Sequence, residues 1–280
     1  MSRITASVVL YKTPQSQLAR LLDCIAQSSI PIETYLVDNS PTLVESPCFN
    51  LPNVNYIRAG ANKGYGAGHN IALRKILNKA EFHFVLNPDI YFDASELNRM
   101  LRFVEQYPEI GQLMPKIVYP DGSLQYLCKL LPTPADLLLR RFAFGPLRKI
   151  ALWKNAQFEL RHTNYDQVMD IPYLSGCFML FRTSALKRVG FFDERYFMYP
   201  EDLDLTRRMH AEFRTVFYPG ATVVHDHARQ SYKTIRALWV HLYNMAKYFN
   251  KWGWFYDPER ARVNRETLKR LSGSPVRPAS

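Results

Sequence analysis

The chain has 280 residues, 47% of them hydrophobic, which suffices for one large core or a core with one appendage and excludes disorder except at the ends. Its formal net charge is +11, and from residue 229 onward 11 Lys or Arg face three acids, a field that attracts nucleic acid, an anionic membrane or a phosphate-bearing substrate without selecting among them. The cysteines Cys24, Cys48, Cys128 and Cys177 include no closely spaced ligand pair, and neither a secretory leader nor a charge-free apolar run of about 18 residues is read, so a reducing cytoplasmic location is expected.

The β-branched run 4–10 predicts a first strand, whose polar exit Tyr11-Lys12-Thr13-Pro14 turns into the helical pattern Leu18, Leu21, Leu22, Ile25. Strands at 33–37 and 54–57 follow, then a glycine-rich loop over 62–68, a helix through Ile71, Leu73, Ile76 and Leu77, and a strand ending near Leu86. A helix around Leu97, Leu101 and Val104 precedes a strand at 110–114. This alternation predicts an α/β fold with a mainly parallel central sheet flanked by helices. Residues 124–170 lack a period, and an insertion, an acceptor-side lid or an ordinary irregular connection all fit them. Apolar patterning returns at 171–181 and 185–189, with strand candidates at 213–217 and 222–224. A helix from near Tyr232 follows, with a broad apolar face from Ile235 through Trp239 to Phe249, and beyond Tyr256 the polar composition predicts fraying.

Three groups of acids stand where such elements begin or end. Asp38 follows Tyr35-Leu36-Val37, Asp89 follows the strand before Asn87-Pro88, and Glu201-Asp202 with Asp204 opens an apolar periodic segment. Carboxylates at strand exits can meet at the carboxyl edge of one sheet, an arrangement suited to a metal-bound phosphate ester. Each also has a plainer reading: Asp38 as a turn former, Asp89 as part of a proline turn, Glu201 and Asp202 as favourable charges at a helix start. Asp93 reads as the cap of a helix from Ala94. The glycines at 64, 66 and 68 match neither a dinucleotide fingerprint nor a Walker loop, and His69 reads as a helix-start or packing residue. In His225-Asp226-His227 alternate side chains diverge across an extended segment, so one histidine at most faces a given site, and no third His or Cys completes a zinc set.

Taken in order, Val37-Asp38-Asn39-Ser40, Asn62-Lys63-Gly64-Tyr65-Gly66, Asn87-Pro88-Asp89, Ser175-Gly176-Cys177-Phe178-Met179, Gly190-Phe191-Phe192-Asp193-Glu194 and Glu201-Asp202-Leu203-Asp204 resemble the family 2 glycosyltransferases, in their bacterial rhamnosyltransferase-like branch, over roughly residues 4–245. The resemblance implies a GT-A fold with a carboxyl-terminal helical extension: a catalytic core at 1–228, its nucleotide-sugar half near 1–120 and acceptor half near 121–228, then a helical, basic and aromatic extension with a flexible tail at 229–280. It implies inverting transfer of L-rhamnose from dTDP-L-rhamnose to a hydroxyl of a lipid-linked glycan in surface polysaccharide or O-antigen synthesis. Asp202 is then the base, with Glu201 the fallback. Asp38, Asn62, Lys63, Gly64, Asn87 and Asp89 line the donor, Asp89 and His225 approach a Mg2+ or Mn2+ ion, and Ser175, Gly176 and Asp204 lie on the acceptor side. The paired-acid form of the metal motif is incomplete, since Asn87 and Pro88 precede Asp89.

Other activities share these groups: a UDP-sugar-dependent transferase, a metal-dependent nucleotidyltransferase or phosphohydrolase, and, from charge and aromatics alone, a nonenzymatic nucleic-acid binder for which no familiar recognition motif is present. No nucleic-acid partner is expected. Residues 235–256 combine Trp239, Tyr243, Tyr248, Phe249, Trp252, Trp254, Phe255 and Tyr256 with Arg236, Lys247 and Lys251, which suits an anionic membrane surface as well as a helix packed on the core. With the resemblance, the expectation is a cytoplasmic enzyme held peripherally at the inner face of the cell membrane.

Overall fold

The computed structural model describes residues 4–42, 45–137, 147–226 and 235–272. Five strands open the chain, β1 (Ile4–Leu10), β2 (Ile32–Asp38), β3 (Val54–Arg58), β4 (Phe82–Leu86) and β5 (Ile90–Tyr91), with helices α1 (Gln15–Ala26) and α2 (Tyr65–Ile76) between them. Then come α3 (Ala94–Gln106), β6 (Ile110–Val118), β7 (Cys128–Lys129), α4 (Leu147–Phe158), β8 (Met169–Asp170), β9 (Tyr173–Leu174) and β10 (Phe178–Arg182). The chain continues through α5 (Thr183–Val189), α6 (Pro200–Glu212), β11 (Arg214–His225), α7 (Ile235–Trp252) and α8 (Pro258–Ser272).

Among the described residues the main sheet runs β3-β2-β1-β4-β10-β6-β11-β5, with β8 added to β11. The first four strands are parallel, β10 lies antiparallel between β4 and β6, and β6 and β11 are parallel again. Alternation along β1 sets the layers. Ile4, Ala6, Val8 and Leu10 face the cluster containing Leu18 and Leu21 of α1 and Leu97 and Leu101 of α3. The opposite face packs Ala72 and Leu73 of α2, Leu186 of α5 and Leu205 of α6. On that face Thr5 and Ser7 meet two buried histidines: His83 Nδ1 is 2.7 Å from Thr5 Oγ1, and Ser7 Oγ lies 2.8 Å from His83 Nε2 and 2.7 Å from His69 Nδ1. Burial pushes His83 down to about 3 and His69 well below the usual range, so both are neutral core residues. His69 is thus a packing residue, as its position in the sequence implied.

Several boundaries differ from the sequence reading: β6 runs on past 114 to Val118, and α4 forms within the span read as aperiodic. The glycine-rich loop is shorter than expected: α2 starts at Tyr65, and Gly66 and Gly68 lie inside it because a Cβ would meet Phe192 at 2.8 Å and Val9 at 2.7 Å respectively. Close packing outweighs the low helix propensity of glycine here. The strand candidates at 213–217 and 222–224 are one strand, β11, with an irregular step between Tyr218 and Thr222. Fraying after Tyr256 is overturned by α8, which follows a buried ion pair: Arg207 binds both oxygens of Asp257 at 2.8 Å and Glu259 at 2.7 Å. Asn264 adds two bonds to the backbone of Leu131, at 2.8 and 2.9 Å. Polar composition reads as solvation until these partners are seen. The rest of the expected flexible tail, from residue 273, lies outside the described residues, as does His227.

Candidate active site

Parallel register brings the carboxyl ends of β1, β2 and β4 to one edge, with Leu10 opposite Asp38 and Val8 opposite Leu86. Strand β10 begins at that edge, because Phe178 pairs with Leu86 in the antiparallel sense, which places Gly176 and Cys177 just outside it. At the far side His225, the last residue of β11, pairs with Ile90 beside Asp89.

A continuous set of bonds joins these segments. Asn39 Nδ2 donates to the carbonyl of Gly64 at 2.9 Å, and Asn62 Oδ1 accepts from Gly64 N at 3.0 Å. Gly64 adopts φ +90°, and a Cβ on it would lie 2.2 Å from the carbonyl oxygen of Phe197, so only glycine fits against that chain. Tyr65 donates through its hydroxyl to the Gly176 carbonyl at 2.5 Å, and Gly176 N donates to Asp202 Oδ2 at 2.7 Å. The next carbonyl, of Cys177, accepts from Asn87 N at 2.9 Å. Asp202 Oδ1 accepts from Leu203 N at 2.7 Å in the first turn of α6, where the helix dipole favours a negative charge.

The adjacent acids differ. Burial, then the neighbouring Asp202 charge, drives Glu201 well above the usual carboxylate range, so it is held as the neutral acid at 3% exposure. Burial also raises Asp202, but the Gly176 N–H and the Lys129 charge oppose it, leaving it at about 6. Two carboxylates buried side by side resist ionising together, and of the two it is Asp202 whose oxygens accept backbone N–H bonds.

Asp89 and His225 form a second pair, His225 Nε2 standing 3.3 Å from Asp89 Oδ1 with the Asn87 amide nitrogen 3.4 Å from the same ring nitrogen. Burial opposes charging of His225, yet Cys177 and Asp89 outweigh it and push it up to about 10. Gln125 Oε1 lies 3.0 Å from His225 Nδ1, which orients the ring with Nε2 toward Asp89. Among the described residues no group of three or more His, Cys, Asp or Glu is placed to hold a metal ion. A metal needs the imidazole unprotonated, and with the Nε2 proton displaced His225 and Asp89, 3.3 Å apart, offer a nitrogen and a carboxylate that fit a Mg2+ or Mn2+ whose remaining ligands are phosphate and water oxygens.

The other expected residues fall out as follows. Asp38 is buried at the end of β2, with Oδ1 accepting from Ser40 N at 2.8 Å and Oδ2 from the Tyr56 hydroxyl at 2.8 Å, so its turn-forming reading describes its geometry. Asn62 and Lys63 are exposed on the loop before α2, and Ser175 lies half-buried beside Gly176. Asp204 departs from its expected acceptor-side place. It is fully buried, bound to Arg208 at 2.9 Å, Lys251 at 2.7 Å and Trp252 Nε1 at 2.8 Å, and fastens α6 to α7. Asp93 caps α3 through Ser95 N at 2.9 Å. Sequence reasoning passed over Asn39, Tyr65 and Gln125 as site residues, and for Asn39 and Tyr65 the only signal was their place inside quoted motifs. A cavity of about 700 Å³ lies elsewhere, between α6 and α8, lined by Arg207, His210, Arg214, Glu259 and Arg270 among others.

The fold is of the GT-A type, and the family and relatives that the chain matches make it a glycosyltransferase that uses a nucleotide-sugar donor. The family described as glycosyltransferase like family 2 matches residues 3–241, and the chain belongs to it. Among its relatives is an N-acetylglucosaminyl-diphospho-decaprenol L-rhamnosyltransferase of Mycobacterium tuberculosis, 30% identical over 82% of this chain and 78% of the relative. Rhamnosyltransferase WbbL of Escherichia coli K12 is 26% identical over 84% of this chain and 88% of its own. In fold, the chain is similar to the mannosyltransferase PcManGT from Pyrobaculum calidifontis in complex with GDP-Man and Mn2+, with a TM-score of 0.59, 15% identity, and coverage of 97% and 76%.

Proposed function

We propose that this enzyme transfers L-rhamnose from dTDP-L-rhamnose, with inversion, to a hydroxyl of a lipid-linked glycan. The observation that supports the mechanism is the Asp202 carboxylate held by the backbone N–H groups of Gly176 and Leu203, each at 2.7 Å, which favours its ionised form beside the more deeply raised Glu201. Asp202 accepts the proton of the acceptor hydroxyl as that oxygen bonds to the anomeric carbon. The bond from that carbon to the diphosphate oxygen breaks, and the nucleoside diphosphate departs with the electron pair. Attack opposite the leaving group inverts the anomeric centre. Asn39 and Asn62 shape the donor loop around Gly64, and Lys63 supplies a cation beside it. Asp89 and His225 would hold Mg2+ or Mn2+, which when bound supplies positive charge to the departing diphosphate.

The donor and acceptor classes rest on the two rhamnosyltransferase relatives. An acceptor of the lipid-diphosphate type places the enzyme at a membrane surface. Among the described residues no helix is long and apolar enough to cross a membrane. Attachment is instead assigned to the exposed stripe Ile235, Trp239 and Tyr243 of α7 with Phe255 and Tyr256 beyond it. Of the three cations expected to assist, Lys251 is bound to Asp193 and Asp204, and Lys247 donates to the Arg195 carbonyl at 2.7 Å. That leaves Arg236 as the exposed cation of this set.

A donor panel with a lipid-diphosphate N-acetylglucosamine acceptor, read by released nucleotide, tests the reading. Release from dTDP-rhamnose well above that from UDP-glucose or UDP-galactose is expected. The reverse order overturns the rhamnosyl assignment, and pyrophosphate formed from a sugar phosphate and a nucleoside triphosphate would favour a nucleotidyltransferase.

A further inference from the structure

We propose that Tyr65 is a positioning residue that couples the donor loop to the base: its hydroxyl fixes Gly176, and the Gly176 N–H fixes the orientation of the Asp202 carboxylate. The proposal rests on the assignment of Asp202 as base made above. Tyr65 follows directly on the Asn62-Lys63-Gly64 loop and is the first residue of α2. Its backbone N donates to the Phe197 carbonyl at 3.1 Å, in the segment that leads into α6. The ring is wedged edge-on against His69, centroids 4.5 Å apart, and against Phe192 at 6.3 Å. Both ends of the residue therefore touch the acceptor half while its chain neighbours form the donor loop.

Gly176 is the transmitting element. Its carbonyl takes the Tyr65 hydroxyl and its N–H gives the Asp202 bond, so a movement of either partner is felt by the other. A Cβ on Gly176 would lie 3.1 Å from Asp202 Cβ and 3.2 Å from Oδ2, which shows how closely this backbone lies against the carboxylate. Asn87, at the strand exit that carries Asp89, holds the adjoining Cys177 carbonyl and limits drift of the same segment.

Tyr65 is not an alternative base. Burial, the largest cause, raises its hydroxyl well above the ordinary range, so it stays protonated and acts as a donor.

The test is a double-mutant cycle of Tyr65→Phe and Asp202→Asn, with kcat and donor KM measured for each variant alongside a thermal melt. Phenylalanine keeps the ring that packs on His69 and Phe192 and removes only the hydroxyl. In the native background Tyr65→Phe is expected to lower kcat about 10-fold with donor KM within about 2-fold, since a buried carbonyl loses its donor without harm to the donor loop. In the Asp202→Asn background the same change is expected to cost less than about 2-fold, because the group it orients is gone. An equal factor in both backgrounds overturns the proposal, as does wild-type kcat in Tyr65→Phe while Asp202→Asn is impaired. Full activity in Asp202→Asn removes the base assignment itself, and the proposal with it.

Discussion

Two opposed effects act on Asp202, the proposed base: burial raises its affinity for a proton and a backbone N–H lowers it. Asp202→Asn is expected to lower transfer about 100-fold or more while donor binding, measured by titration calorimetry, persists. If instead Glu201→Gln alone abolishes transfer, the roles of the pair are reversed. The shift also has a stability consequence. The folded-state value of about 6 exceeds the ordinary carboxylate value, so the native state binds more protons between the two and stability falls as pH rises through that window. Denaturant titrations should show Asp202→Asn more stable than the native chain at about pH 8, with the advantage gone by about pH 4, at the lower end of that window. At Gly64, Gly64→Ala sets a Cβ against the Phe197 carbonyl at positive φ, and a loss of about 1–3 kcal/mol with weakened donor binding is expected. An unchanged melt and donor affinity would contradict the close approach. The acids were legible in the sequence because each stands at the boundary of an apolar run. Tyr65 and Gln125 were not, since their partners Gly176 and His225 lie about a hundred residues away and only folding brings them together.

Helix α6 carries Asp202, the proposed base, and is fixed from behind. Arg207 is 3% exposed, bound to Asp257, Glu259 and the Tyr248 hydroxyl, and lies 4.0 Å above the Trp252 ring. Removing one partner of such a buried cluster leaves the others uncompensated, so Arg207→Ala is expected to destabilise by about 3–5 kcal/mol, visible as a large drop in Tm. A drop comparable to that of an exposed arginine variant such as Arg262→Ala would show the clamp to be unimportant. The longer strands were readable from apolar runs, and β1 matches its expected span, because burial on both faces leaves a near-continuous hydrophobic signature, whereas the two-residue strands β5, β7 and β8 are too short to leave one. Helix α8 was not readable, because it is held by charge pairing and by only a few buried residues, including Val263 and Thr267, so it has no strong apolar period. The same limit hid the start of α2, where glycines permit contact with Phe192 and Val9.

For the whole molecule, the sheet edge gathers segments scattered from Asp38 to His225, and α7 presents an apolar stripe to solvent at Ile235, Trp239 and Tyr243. Replacing Trp239, Phe255 and Tyr256 with serine should reduce cosedimentation with anionic liposomes while leaving the melt unchanged, because all three are exposed. Retained binding would place the lipid contact elsewhere. Lys251 does not belong in that set: its links to Asp193 and Asp204 mean that neutralising it should destabilise the fold whatever it does to lipid binding. An inverting sugar transfer in which Asp202 takes the acceptor proton leaves a stereochemical signature in the product. The most direct measurement is the anomeric configuration of the glycoside formed from dTDP-rhamnose, determined by nuclear magnetic resonance for the native enzyme and for Asp202→Asn. The account requires a configuration opposite to that of the donor and near-absence of product from the variant, whereas a product that keeps the donor configuration, or a variant that forms it at the native rate, would contradict it.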